Sequence, residues 1–402
     1  MKAIKGIAIS VAIILLAAFM AVMFLPIDTF IAEKSAKIGG YEVPEEYSDT
    51  LYRYYYNNLN KQEQLAYRIV YASFLASPDD GFPNQILIPK LSDSELEEMY
   101  CALSYDNPEL YFLGNKCSMT SIGSMNYFVP QYLMTMDEYY DSWSIITDKV
   151  HYILAKLPSN ALTEYEKELY LHDYIIQNCE YDESNAAMVF TMYGVLIDGK
   201  ANCEGYSRTM QYLLRSMDIY NYLAIGNGET GSTKDTGHMW NIVRIDNKFY
   251  NLDVTWDDYS VSDFVDYPDN SGSHVYFNMS TEDIKKNHSI NDNALWADCT
   301  EDSFGYFRYK GIYFKSYNAE TERAMKFEIA ETLASGYNSV EFAFENEDAF
   351  NNAFNMLITK GGMYNIIQYA NSTVDNARRV ESTSVQYTND ETNLILRFFF
   401  IK

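Results

Sequence analysis

Apolar and polar positions along the chain fall into four successive textures. Lys2 and Lys5 precede an uncharged run of twenty residues, Gly6 to Leu25, closed by Pro26 and Asp28. At a helical rise of about 1.5 Å per residue such a run is about 30 Å long, enough to cross a bilayer. A cleavable signal peptide is the rival reading, but its apolar core is usually shorter and ends in a small-x-small site. Here Ala17-Ala18-Phe19-Met20-Ala21 leads into more large apolar residues. The expectation is a single uncleaved anchor within 1–29, with the cell membrane as location and the bulk of the chain extracellular; cleavage would make the protein secreted. Residues 30–45 read as a tether.

Residues 46–155 read as a helical N-terminal region. Asn60-Lys61-Gln62-Glu63 and Ser92-Asp93-Ser94-Glu95 each fit the polar-x-x-Glu start of a helix, and Leu65, Ile69 and Val70 place an apolar stripe on the first. Ser77 to Pro89, rich in Pro, Asp and Gly, reads as a loop. Another helix opens at Thr163 with Glu166 three residues on, and turns Leu169, Leu171, Tyr174, Ile175 and Ile176 toward a core; His172 on it reads as a packed residue. Tyr193 to Gly199 is a short buried segment ending in a turn. Asn202 then suits a helix N-cap ahead of Cys203 and the apolar positions Met210, Leu213, Leu214 and Met217.

Two strands follow, 238–245 and 248–256, joined by Asp246-Asn247. That turn pairs Ile245 with Lys248, sets Trp240 opposite Asp253, and puts His238 and Asp253 diagonally on one face; one residue more or less would separate them. Past residue 290 an α+β accessory region (291–402) is predicted. It has a strand pair from Tyr306 to Phe314 broken at Lys310-Gly311, a helix over 319–335 stopped by Gly336, and a strand over Val340–Phe344. A further helix spans about Asp348–Lys360, and two last strands flank Asn389-Asp390.

Length and charge narrow the function. At 402 residues several domains are expected, and 48% hydrophobic residues with 9 prolines argue against long disorder. A formal charge of −26 repels phosphate backbones, so nucleic acid is excluded as a partner. The 37 tyrosines suit surfaces that are half apolar and half wet, or are compositional drift. Four cysteines besides Cys203 (Cys101, Cys117, Cys179, Cys299) are too few for a disulfide framework; Cys101 and Cys117 are near enough to bridge a loop, or all four are reduced. The acidic stretch Asp257, Asp258, Asp263, Asp266, Asp269 lacks the ligand order of a calcium loop and reads as a solvated loop. Cys203 and His238 lack two further partners for zinc. No cofactor and no obligatory metal is expected.

A thiol at a helix start sees unpaired N–H groups and the positive end of the helix dipole, which favour a nucleophilic thiolate and can receive a tetrahedral oxyanion. An imidazole and a carboxylate on one hairpin face complete the parts of an acyl-transfer site. Gly199-Lys200-Ala201-Asn202-Cys203-Glu204-Gly205, Gly237-His238-Met239-Trp240-Asn241 and Asp253-Val254-Thr255-Trp256-Asp257 resemble the three motif blocks of the bacterial transglutaminase-like superfamily. The helix before them and Tyr276-Phe277-Asn278-Met279-Ser280 to His288 resemble its flanks. The resemblance implies a papain-like α+β core over 156–290, with the nucleophile helix on an antiparallel sheet. It also implies Cys203 as nucleophile, His238 as base then acid, and Asp253 as orienting carboxylate. The expected enzyme acts on peptide or protein amides, at the cell envelope, through a thioester, with hydrolysis slightly favoured over amine transfer. The rival is an envelope adhesion or scaffold protein that keeps the core as a binding module.

Overall fold

The computed structural model describes residues 42–47, 52–76, 81–157, 162–230, 233–258, 272–291, 297–383 and 385–400. The chain is α+β and divides into two compact units, Met1–Trp143 and Ser144–Lys402.

The first unit contains α1 (Tyr54–Asn58), α2 (Lys61–Leu75), β1 (Ile86–Pro89), α3 (Asp93–Asp106), β2 (Leu113–Ile122) and β3 (Met125–Tyr132). Both expected helix starts are capping boxes: Asn60 accepts from the Glu63 amide while Glu63 accepts from that of Asn60, and Ser92 and Glu95 do the same. Leu65, Ile69 and Val70 of α2 pack with Met99 and Leu103 of α3 and with Phe128. The region expected as helical also holds a sheet: β1, β3 and β2 are antiparallel in that order, and Ile86–Pro89, expected as loop, is its first strand. From Asn115 onward β2 has no buried residue, so its alternation carries little hydrophobic contrast. Tyrosines here build core as well as surface, with buried Tyr56 and Tyr67 packing edge-on against Tyr47 beside Arg53.

After α4 (Met136–Ala155), the second unit continues with α5 (Glu164–Asn178), β4 (Glu180–Tyr181), β5 (Lys200–Ala201) and α6 (Cys203–Arg215). Thr163 and Glu166 cap α5 reciprocally. A π turn over Gly194–Asp198 ends at Gly199, whose φ of 67° suits a residue without a side chain. Then come β6 (Asn221–Thr230), β7 (Thr233–Ile245), β8 (Lys248–Leu252), α7 (Thr281–Ile284) and β9 (His288–Ile290). These strands form an antiparallel sheet in the order β8-β7-β6-β9. The β7–β8 register pairs Ile245 with Lys248 and Asn241 with Leu252, turning through Asp246 (φ 49°) and Asn247 (φ 62°). This is a two-residue turn of the kind whose twist matches the strands. α6 lies against β6 and β7. Ser207 Oγ donates to the Met239 carbonyl at 2.9 Å, and Asn241 Nδ2 donates to the Ser207 carbonyl at 3.0 Å.

The remaining elements are α8 (Tyr306–Tyr309), β10 (Tyr313–Phe314), α9 (Ala319–Ser335), β11 (Ser339–Phe344), α10 (Glu347–Phe354), α11 (Gly362–Thr373), β12 (Val385–Asp390) and β13 (Ile395–Phe400). Their sheet runs β10-β11-β13-β12, with only the β10–β11 pair parallel. The strand pair expected over Tyr306–Phe314 is instead a helical turn and a two-residue strand. Phe307, Ile312 and Phe314 are the buried residues there, a spacing that is not the two-residue period of a strand. Val275 and Tyr276 share one core with Phe342, Leu396 and Phe398, so packing runs across residue 290.

Among the described residues no helix is long and apolar enough to cross a membrane. The longest, α4, spans 20 residues but carries Asp137, Glu138, Asp141, Asp148 and Lys149. The expected N-terminal anchor, the membrane contact and the extracellular placement are corrected accordingly. The run Gly6–Leu25 and most of the tether lie outside the described residues. None of the five cysteines is in a disulfide, so no Cys101–Cys117 bridge forms.

Candidate active site

Three turns of backbone bring the start of α6 to the sheet. Asn202 is extended, and its side chain accepts from the amides of Glu204 (3.1 Å) and Gly205 (3.3 Å), which begins the helix at Cys203. The Asn202 amide itself donates to the Val189 carbonyl at 3.0 Å. Gly205 lies against that same carbonyl: a Cβ built there would stand 2.5 Å from Val189 O and 3.1 Å from Thr191 O. The close approach that this glycine permits is thus to the turn over Ala187–Phe190. Cys203 is half-buried, and the carboxylate of Glu204 beside it is paired with Arg208 at 2.7 Å.

His238 is buried on β7, with Nε2 at 2.6 Å from Asp253 Oδ2. Cys203 is near enough to act on its charge. Burial disfavours the charged ring, but the Asp253 carboxylate and the Cys203 sulfur outweigh it and raise the His238 pKa to about 10. Asp253 follows directly on the end of β8 and is wholly buried. Its Oδ1 accepts from the amides of Thr255 (3.0 Å) and Trp256 (3.2 Å). Burial opposes its ionisation, yet the two imidazoles beside it hold it well below the usual carboxylate range. The structure therefore joins His238 to Asp253 directly, and Cys203 acts electrostatically on His238.

Trp240 stacks on His238 with ring centres 5.9 Å apart and anchors its indole N–H on Asn251 Oδ1 at 3.0 Å. Trp256 covers another side of His238 at 5.7 Å. Tyr181 lies near the thiol; burial first, and then Cys203, push its hydroxyl up to about 12.

Two features escaped the sequence reading. His288 is buried on β9, and its Nε2 stands 3.0 Å from the same Asp253 Oδ2. Nothing local marks it: β9 has three residues, and His288 reaches the site only because β9 pairs with β6. The second is a network around His172, whose Nδ1 meets Asp173 at 3.0 Å and whose Nε2 meets Asp257 at 3.1 Å, with His274 on Asp173 at 2.9 Å. The expected solvated loop is corrected at its first two residues, because Asp257 and Asp258 are buried and partnered by His172 and Tyr206. Tyr259 to Asp269 lie outside the described residues. Among the described residues His172, Asp173 and His274, and likewise His238, Asp253 and His288, hold ligand-type atoms within 4.8 Å of one another. Hydrogen bonds account for the short approaches in both groups.

Residues 152–254 match the family described as the transglutaminase-like superfamily. No curated protein matches the chain. Among solved structures, a TGase is similar at 17% identity and a TM-score of 0.24, covering 42% of this chain and 50% of its own. A candidate cysteine protease from Cytophaga hutchinsonii is similar at 12% identity, with a TM-score of 0.24 over 35% of this chain and 61% of its own. A candidate protease from Parabacteroides distasonis is also 12% identical, with a TM-score of 0.22 over 34% of this chain and 35% of its own. The chain thus spans about half the length of the TGase it matches. The similarity to the transglutaminase-like superfamily lies in residues 152–254.

Proposed function

We propose that the chain is a cysteine enzyme acting on peptide or protein amides, with Cys203 as nucleophile, His238 as general base and then acid, and Asp253 as the carboxylate that orients His238. The observation that carries this is the 2.6 Å contact of His238 with the buried Asp253, beside a helix start at Cys203 near enough to raise the His238 pKa. His238 takes the thiol proton while sulfur attacks the amide carbon, and the electron pair of the C=O bond moves to oxygen. Asn202 already engages the Glu204 and Gly205 amides, so the Cys203 N–H is the helix-start donor assigned to that oxyanion. Collapse expels the amine, which receives the proton from His238 and leaves a thioester. Water then releases a carboxylic acid, or an amine forms a new amide; hydrolysis is the favoured outcome.

The test is incubation with a peptide panel, with and without a primary amine, read by mass spectrometry for cleaved, deamidated or amine-coupled products. Cys203→Ala is expected to lose every product. Undiminished activity in that variant ends the proposal.

A further inference from the structure

His288 is a buried imidazole with no part in the chemistry just described. We propose that it is a positioning residue whose Nε2–H locks the Asp253 carboxylate in the orientation that serves His238. This rests on the roles assigned above to Cys203, His238 and Asp253.

A carboxylate offers about four acceptor positions. At Asp253 all four are used: two backbone amides on Oδ1, and His238 and His288 on Oδ2. The amides fix one oxygen, but a carboxylate held at one oxygen can still tilt the other. His288 removes that freedom by approaching Oδ2 beside His238, their ring centres 5.3 Å apart.

The ring of His288 is itself held. Trp256 lies 4.3 Å from it, Trp240 stands edge-on at 5.3 Å, and Nδ1 is 2.8 Å from the acceptor Asn287 Oδ1. The strand that carries it has a place made for it. A Cβ at Gly226 would stand 2.2 Å from the Ser289 carbonyl, so β9 could not pair with β6 at its observed spacing were a side chain there.

Asp253 Oδ2 at Nε2 requires a proton on that nitrogen, so the N–H that braces the carboxylate is present in either charge state of the ring. Burial, joined by the charge on His238, opposes a second proton, while the acceptor Asn287 Oδ1 at Nδ1 favours one.

The experiment uses the full chain and needs no substrate. Alkylation of Cys203 by iodoacetamide at pH 6 is followed on the Cys203 peptide by mass spectrometry, with melting temperatures taken in parallel. The variants are His238→Ala, His288→Leu and His288→Gln, the last placing an amide N–H near the lost Nε2–H. His288→Leu is expected to slow alkylation about 10- to 100-fold, the worth of one hydrogen bond to a charged group, while His288→Gln stays within about threefold of the parent. Slow His238→Ala and His288→Leu together with a fast His288→Gln support the inference. A slow His238→Ala with His288→Leu at the parent rate overturns it and leaves the acyl-transfer reading standing. Equal slowing and equal loss of melting temperature in both His288 variants also overturn it, since His288 would then only fill space. Unchanged alkylation in His238→Ala overturns the acyl-transfer reading, and the inference with it.

Discussion

Substitution of Gly205 by alanine tests how tightly the start of α6 is seated. In an open helix this change is favourable by about 1 kcal/mol, because alanine loses less backbone freedom on folding. Here the new Cβ would lie 2.5 Å from Val189 O, against 3.4 Å for ordinary contact, so either α6 or the Ala187–Phe190 turn must retreat by about 0.9 Å. Of the three nearest obstacles two are backbone carbonyls, Val189 O and Thr191 O, and the third is Ala201 Cβ at 2.8 Å, none of which can rotate away. Overpacking of this kind costs about 1–3 kcal/mol. The Val189 carbonyl is also the acceptor for the Asn202 amide, so its displacement forfeits about 1 kcal/mol more. The expected net loss is about 1–3 kcal/mol, read as a fall in melting temperature of about 3–10 °C for a unit of this size. Circular dichroism melts of Gly205→Ala and Gly237→Ala make the comparison, since a Cβ at Gly237 meets nothing within 4 Å. A Gly205→Ala melting temperature equal to or above that of Gly237→Ala would refute the reasoning.

Two further outcomes are expected. Asp253→Asn keeps the shape of the side chain but not the charge that holds the His238 imidazolium, so peptide turnover falls about 10³- to 10⁴-fold with little change in KM; a loss under tenfold counts against the assigned role. Stability also falls as pH rises, for two reasons of the same sign. Burial raises the Glu168 pKa from 4.5 to about 8, so that contribution is full below pH 4.5 and gone above about 8. His172 is raised from 6.5 to about 9 by Asp173 and Asp257 against the effect of burial, so its contribution is full below pH 6.5 and gone above about 9. Glu168→Gln removes the first and flattens the slope between pH 5 and 8 by at most about 1.4 kcal/mol per pH unit; an unchanged slope in urea titrations contradicts it.

How much of this was legible depended on how local each signal was. The starts at Asn60, Ser92 and Thr163 could be read because a capping box lies within four residues. The β7–β8 register was readable for a similar reason, with a two-residue turn and the paired strands contiguous in sequence. Pairings over longer range were not readable. Strand β1 reaches β3 across about forty residues, and β2 offers solvent a polar face with little contrast. In the site the same division holds: the thiol, the imidazole and the first carboxylate sit in recognisable settings, whereas His288 is placed by a strand crossing that no window of sequence contains. Asp257 looked like one acidic loop residue among several, and only the fold reveals that its charge is answered by His172.

The order in which the chain is made bears on when the site can work. Arg397, on the last described strand, pairs with Glu341 and donates to Ser273 Oγ at 2.9 Å, while Glu341 accepts from the His274 amide at 3.0 Å. That segment runs directly into Tyr276, whose carbonyl accepts the Asp253 amide at 3.0 Å. Cys203 and His238 therefore leave the ribosome well before the residues that brace their carboxylate partner. Synthesis proceeds from the N-terminus, so the nascent chain carries Cys203 with an unfinished support until β13 emerges. A chain stopped before β13 would carry Cys203, His238 and Asp253 without the Arg397–Glu341 contacts that brace the segment leading to Tyr276.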